Sequence, residues 1–205
     1  MTFETLISFF FASLALTIAP GPDVMYVLST SIAKGKQYGI AAATGLSSGL
    51  LFHTTLLAFG ISAIIIKSPA LFKGIKIFGA LYLLWLAYNV YRSDAAFKLT
   101  SNKPQVNQPW KNIFHGLMMN ILNPKVMLFF LALFPTFIHS NAGNVKIQVY
   151  TLGFISFIQA FTVFCLYAIL ASSLTKFFRE NNTFNLILKW LQIMVFVSLA
   201  VFMLL

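Results

Sequence analysis

Acidic side chains are nearly missing from this sequence. Among 205 residues there are four, Glu4, Asp23, Asp94 and Glu180, against fourteen Lys and Arg, for a formal charge of +10. Charged residues of both signs make up 9% of the chain, where about 25% is usual for a soluble domain. Cysteine occurs once, at Cys165. That excludes an internal disulfide, a CxxC redox pair and a thiolate metal cage, and inside an apolar run it reads as an inert buried thiol. Walker, HExxH and GxSxG motifs are missing too, which argues against an internal ATP site and against the usual protease and hydrolase chemistries. The residues imply no catalytic group, no cofactor and no metal site. The first residues carry Glu4 and no positive cluster, so a cleaved signal peptide is not expected.

What is present is apolar surface: 59% of residues are hydrophobic, against roughly 45–50% in soluble domains. A small soluble fold keeps too much of its surface in water to hide that share, so the chain reads as an all-α integral membrane protein. The excess of Lys and Arg does not point to nucleic acid, because these residues sit in short gaps between apolar runs. That placement suits lipid headgroups and control of topology. A spanning helix takes about 20 apolar residues. Six such runs are visible, at 5–33, 37–66, 71–91, 112–145, 147–175 and 183–205. The polar stretch 93–112, with Pro104 and Pro109, reads as a linker. It divides the chain into a first three-helix unit, 1–92, and a second, 113–205. The first, third and fifth connections hold eight Lys and Arg and the second and fourth hold four. The odd connections are therefore expected in the cytoplasm and both termini outside. On that orientation the sequon at Asn181 is a chance match.

Two runs are interrupted. Ala19-Pro20-Gly21-Pro22-Asp23 lies midway through the first. Each proline removes an amide donor and disfavours helix in the residue before it, so a broken helix is expected, roughly Phe3 to Ile18 and then Pro22 to Ala33. Asn120-Ile-Leu-Asn-Pro-Lys125 interrupts the fourth run in the same way. The breaks hold corresponding places in the two halves, with Pro22 matching Pro124 and Asp23 matching Lys125. Three spans per half make the second copy inverted, and paired breaks in inverted repeats point to the binding site of a secondary transporter. A charge at the bilayer centre costs at least about 2.5–3.5 kcal/mol, so Asp23 and Lys125 are expected to face one cavity, where a substrate with a carboxylate and an ammonium competes for both. The alternatives are that Asp23 caps the second half-helix and that Lys125 snorkels to an interface. Asn120 and Asn123 either bind substrate or satisfy backbone groups freed by Pro124.

Ala41, Gly45, Gly49 and His53 share one helix face by their spacing. Gly45 and Gly49 serve close helix packing, with a homodimer interface as the alternative. His53 is either a proton relay or a hydrogen-bonded structural residue. Gln159 and Thr162 line a cavity or bond across helices.

Thr17-Ile-Ala-Pro-Gly-Pro-Asp-Val-Met-Tyr26 and Asn120-Ile-Leu-Asn-Pro-Lys-Val-Met-Leu-Phe-Phe-Leu-Ala-Leu-Phe-Pro135 resemble the first-span and fourth-span signatures of the LysE/RhtB family of amino-acid exporters. The Gly45/Gly49 helix and Gly79-Ala-Leu-Tyr-Leu-Leu-Trp-Leu-Ala87 resemble its second and third spans. The resemblance implies export of amino acids or derivatives driven by protons. It puts Pro20, Gly21, Pro22, Asp23, Asn120, Asn123, Pro124 and Lys125 on motif positions. Thr136 and Ala87 stand where the family often has Gln and Gly, which leaves the substrate open. With Asp23 the only intramembrane anion, neutral amino acids are preferred over lysine. An ion or metal exporter is the competing reading within transport, although one carboxylate and few histidines make a poor ligand set for divalent metals. An intramembrane enzyme built on His53 with Ser47, Ser48 or Thr54 is the reading from another class.

Overall fold

A computed structural model describes residues 1–19, 21–67, 69–92, 108–139, 141, 143–180 and 182–204. Pro20, residues 93–107 of the expected linker and the sequon residue Asn181 lie outside the described residues. The described residues are mostly helical, in the order α1 (Phe3–Ile18), α2 (Pro22–Lys34), α3 (Lys36–Lys67), α4 (Pro69–Arg92), α5 (Pro109–Ile121), α6 (Pro124–Leu128), α7 (Val145–Glu180) and α8 (Asn182–Leu204). After α6 the helix continues as a π-helical turn, Phe129–Leu133, and a 3-10 turn, Phe134–Phe137.

Four of these helices, α3, α4, α7 and α8, are long and apolar enough to cross a bilayer alone. The rest do so in pairs. At 1.5 Å per residue, the 16 residues of α1 reach about 24 Å and the 13 of α2 about 20 Å, each short of a hydrocarbon core about 30 Å thick. Joined, α1 and α2 make one span bent by 55°, and α5 with Pro124–Phe137 makes another bent by 50°. The protein is thus an all-α membrane fold of four spans, or six where each bent pair crosses as one. Proline sets each restart, since Pro22 and Pro124 occupy the first turn of α2 and α6, where a missing N–H costs nothing. Pro109 opens α5 in the same way, so this helix starts within the stretch expected as linker.

The main packing partners are α3 with α5 and α7, and α4 with α8. Glycine permits the closest of these approaches. A Cβ on Gly45 would run into the carbonyl of Ile113, and one on Gly116 would lie 2.6 Å from the carbonyl of Ala42. The Gly45 face is therefore taken by α5 of the same chain and is not free for a second copy. Large apolar side chains such as Phe78, Leu81 and Phe154 are 59–64% exposed, while Asn120 and Ser47 are at most 1% exposed. This is the inside-out polarity of a protein whose solvent is lipid.

Candidate functional site

The two breaks meet, and a side chain of the second serves a freed carbonyl of the first. Where α1 ends, its last carbonyls lose helical donors. Tyr167 of α7 donates its hydroxyl to the Ile18 carbonyl at 3.2 Å, and Lys125 of α6 donates from Nζ to the Ala19 carbonyl at 3.2 Å. Where α5 ends, the Asn120 carbonyl accepts from the Asn123 amide at 3.1 Å, and His53 Nε2 of α3 lies 3.4 Å away. A carbonyl can only accept, so this ring nitrogen carries the proton. Irregular backbone at membrane depth is tolerated when enclosed by protein in this way.

Asn123 ties the breaks together. Its Oδ1 accepts from the Lys125 amide at 3.0 Å, capping α6, and its Nδ2 donates to both carboxylate oxygens of Asp23 at 2.9 Å. Asp23 sits in the first turn of α2, where the helix dipole favours an anion, but Gly21 is the N-cap and no side chain caps this helix. The carboxylate is turned to the opposite break instead. Asp23, Asn123 and Lys125 are 5–7% exposed, so Lys125 does not snorkel. Its ammonium lies 5.9 Å from the ring centroid of Phe196, and the Asp23 and Lys125 charges act on one another.

Asp23, Lys125 and Asn120 line one small cavity of about 30 Å³, together with Ser13 and Thr17 of α1 and Ser156 of α7. That space holds roughly one water. Two of its polar atoms, Asn120 Oδ1 and Ser156 Oγ, are buried without a hydrogen-bond partner. The remaining wall is apolar, including Leu16, Leu50 and Phe129. Gly49 sets the position of Asn120, because a Cβ there would lie 2.7 Å from that residue's Cβ.

Gly21, Pro22 and Pro124 line a second, larger chamber on the far side of Lys125. His53 lines a third, apolar cavity of about 250 Å³ and stacks on Phe130 at 5.3 Å. Gln159 bonds across helices, to Ser13 at 2.6 Å and the Phe10 carbonyl at 3.2 Å, while Thr162 returns its hydroxyl to the Ile158 carbonyl. Cys165 is half-buried. The sequence reading passed over Ser13, Thr17 and Ser156. Ser156, Ala160 and Phe164 follow one another at helical spacing along the cavity wall, a signal too common in apolar helices to single out.

Two broken helix pairs that meet at a buried polar cavity, with opposite charges on the two breaks, are the arrangement that points to the binding site of a membrane transporter. The chain belongs to the LysE type translocator family, whose profile matches residues 14–205. It is 29% identical to a homoserine/homoserine lactone efflux protein of Salmonella typhimurium, over 87% of this chain and 86% of that one. It is 32% identical to a leucine efflux protein of an Enterobacter species, over 73% of each. A membrane protein of Bacillus subtilis is 32% identical over 83% of this chain and 84% of its own. No solved structure matches the chain.

Proposed function

We propose that this protein exports small neutral amino acids or their derivatives from the bacterial cytoplasm, as a secondary transporter that alternates access around the cavity between the helix breaks. The observation that carries this reading is the convergence of one carboxylate, Asp23, and one ammonium, Lys125, on a single small cavity. A zwitterion offers the complement to both. Its carboxylate takes Lys125 from the Ala19 carbonyl and its ammonium takes Asp23 and the unpartnered Asn120 Oδ1, so the site exchanges internal bonds for bonds to cargo. Relatives named for homoserine, homoserine lactone and leucine efflux support a small amino acid or derivative as the substrate. A second cationic group, as in lysine, would find no further anion here.

In this reading the odd connections, rich in Lys and Arg, lie in the cytoplasm, and both termini lie outside the inner membrane. Asp23 is the only carboxylate in the sequence inside an apolar run, and it is the group that would exchange a proton for substrate. The protein acts as a carrier, not as an enzyme, and needs no cofactor.

Efflux from cells preloaded with a panel of labelled amino acids tests the reading. The unmodified chain is expected to export one or a few neutral members selectively. Asp23→Asn and Lys125→Met, at equal membrane levels, are expected to lose that export. Export that persists in both variants, or no export of any amino acid by the well-folded chain, overturns it.

A further inference from the structure

The central cavity is too small to admit an amino acid, yet Lys125 also forms the floor of a chamber of about 310 Å³ on its other side. That volume falls at the lower end of the range of about 300–1,000 Å³ seen for ligand pockets. We propose that this outer chamber is the loading vestibule of the transporter, holding the carboxylate of an arriving amino acid before it reaches the central cavity. The inference rests on the exporter reading and adds to it a second binding position, with Asn89 and Gln192 as its polar wall.

Three observations support it. First, α4 contributes Tyr82, Leu86 and Asn89, which share one helix face by spacing. That face runs toward Arg92, about 4.5 Å of helix beyond Asn89. Arg92 flanks the third connection, one of the basic set, so the chamber leads to the side from which an exporter loads.

Second, the chamber ends on both breaks at once, at Gly21 and Pro22 of the first and at Asn123, Pro124 and Lys125 of the second. No side chain at Gly21 stands before the ammonium. A Cβ there would come within 3.4 Å of Lys125 Nζ. The backbone at Gly21 is extended, with φ −165°, so glycine is not needed there for conformation. It leaves the ammonium approachable across bare backbone.

Third, apart from the charge of Asp23, the direct partners of the Lys125 ammonium are a neutral carbonyl at 3.2 Å and the Phe196 ring at 5.9 Å. A carboxylate in the chamber is the stronger acceptor, because ionised pairs make shorter and stronger hydrogen bonds. Asn89 and Gln192 supply amide groups in a wall that is otherwise largely apolar, which suits a short aliphatic side chain. Drawing Nζ off the Ala19 carbonyl unfastens the end of α1 and gives the cargo a way past Lys125 to Asp23 and Asn120.

The single native cysteine makes the test clean. In a Cys165→Ala background, Asn89→Cys, Gln192→Cys and, as a control, Leu56→Cys in the apolar cavity beside His53 are labelled with a charged thiol reagent in membrane vesicles. L-leucine and L-homoserine are the probes, and L-leucinamide is the analogue without a carboxylate. An exported amino acid at ten times its dissociation constant is expected to slow labelling at positions 89 and 192 about tenfold, with no change at position 56 and none with leucinamide. Unprotected labelling at both chamber positions, in a Cys165→Ala chain that still exports the amino acid, overturns the vestibule while leaving the exporter. Equal protection by leucinamide overturns the role given to the carboxylate. A Cys165→Ala chain that exports no amino acid overturns the exporter reading and the vestibule with it.

Discussion

Asn123 does two tasks with one amide. Its oxygen caps α6 and its nitrogen holds Asp23, so its orientation is fixed from both ends. Asn123→Asp keeps a good cap but sets two carboxylates against each other in a buried site. Leaving a buried charge uncompensated costs about 3–5 kcal/mol, so folded protein recovered in detergent is expected to fall sharply. The double variant Asp23→Asn/Asn123→Asp restores one carboxylate facing one amide and is expected to recover the folded yield. Failure of that recovery would show that the helix dipole at α2, not the hydrogen bond, governs the pair. The charges themselves were legible in the sequence, because an ionised group in an apolar run is costly enough to demand a reason. The hydroxyls were not. Thr17 and Thr162 return theirs to their own helix, to the carbonyls of Ser13 and Ile158, whereas Ser156 leaves its hydroxyl unpartnered beside the cavity. Nothing in the local sequence separates the two behaviours.

At the scale of elements, α3 is a scaffold whose glycines do different jobs along one face. Gly45 meets the backbone of α5 and Gly49 meets the side chain of Asn120. Backbone cannot swing aside, whereas a side chain can give way into the cavity. Gly45→Ala is therefore expected to destabilise the α3–α5 contact by at least the 1–3 kcal/mol or so typical of overpacking, seen as a lower unfolding midpoint. Gly49→Ala is expected to keep the fold and lose export, because Asn120 is pushed into a space of about 30 Å³. Loss of fold in Gly49→Ala with normal export in Gly45→Ala would reverse this assignment. The breaks were legible because proline acts within a residue or two of itself. The π-helical turn after α6 was not. Pro135 lacks an N–H, and the amide of Phe134 bonds the Phe129 carbonyl five residues back, a choice of register settled by the surrounding packing.

At the scale of the whole molecule, the all-α membrane fold follows from apolar run length, which the helices long enough to cross a bilayer bear out. The joining of the halves is a different matter. The Asp23–Asn123 and Ala19–Lys125 bonds connect residues 100 and 106 positions apart, and no pattern of period or spacing encodes such a pairing. In the proposed reading, orientation is carried by the basic residues of the odd connections. A C-terminal reporter that is active only outside the cytoplasm is expected to be active on this chain. Activity of a cytoplasmic reporter at the same terminus would invert the assignment and turn the outer chamber toward the exterior.

The Lys125–Ala19 bond has a consequence for the unloaded protein. In the proposed exporter, the group that recognises cargo is also the one that keeps the opposite span closed, so an empty molecule is fastened shut by its own recognition chemistry. Ions too weakly attracted to displace a carbonyl from an ammonium leave the fastening intact. The membrane would then keep its proton gradient when the cell has nothing to expel, and leakage would be expected only in variants, such as Lys125→Met, that lack the fastening.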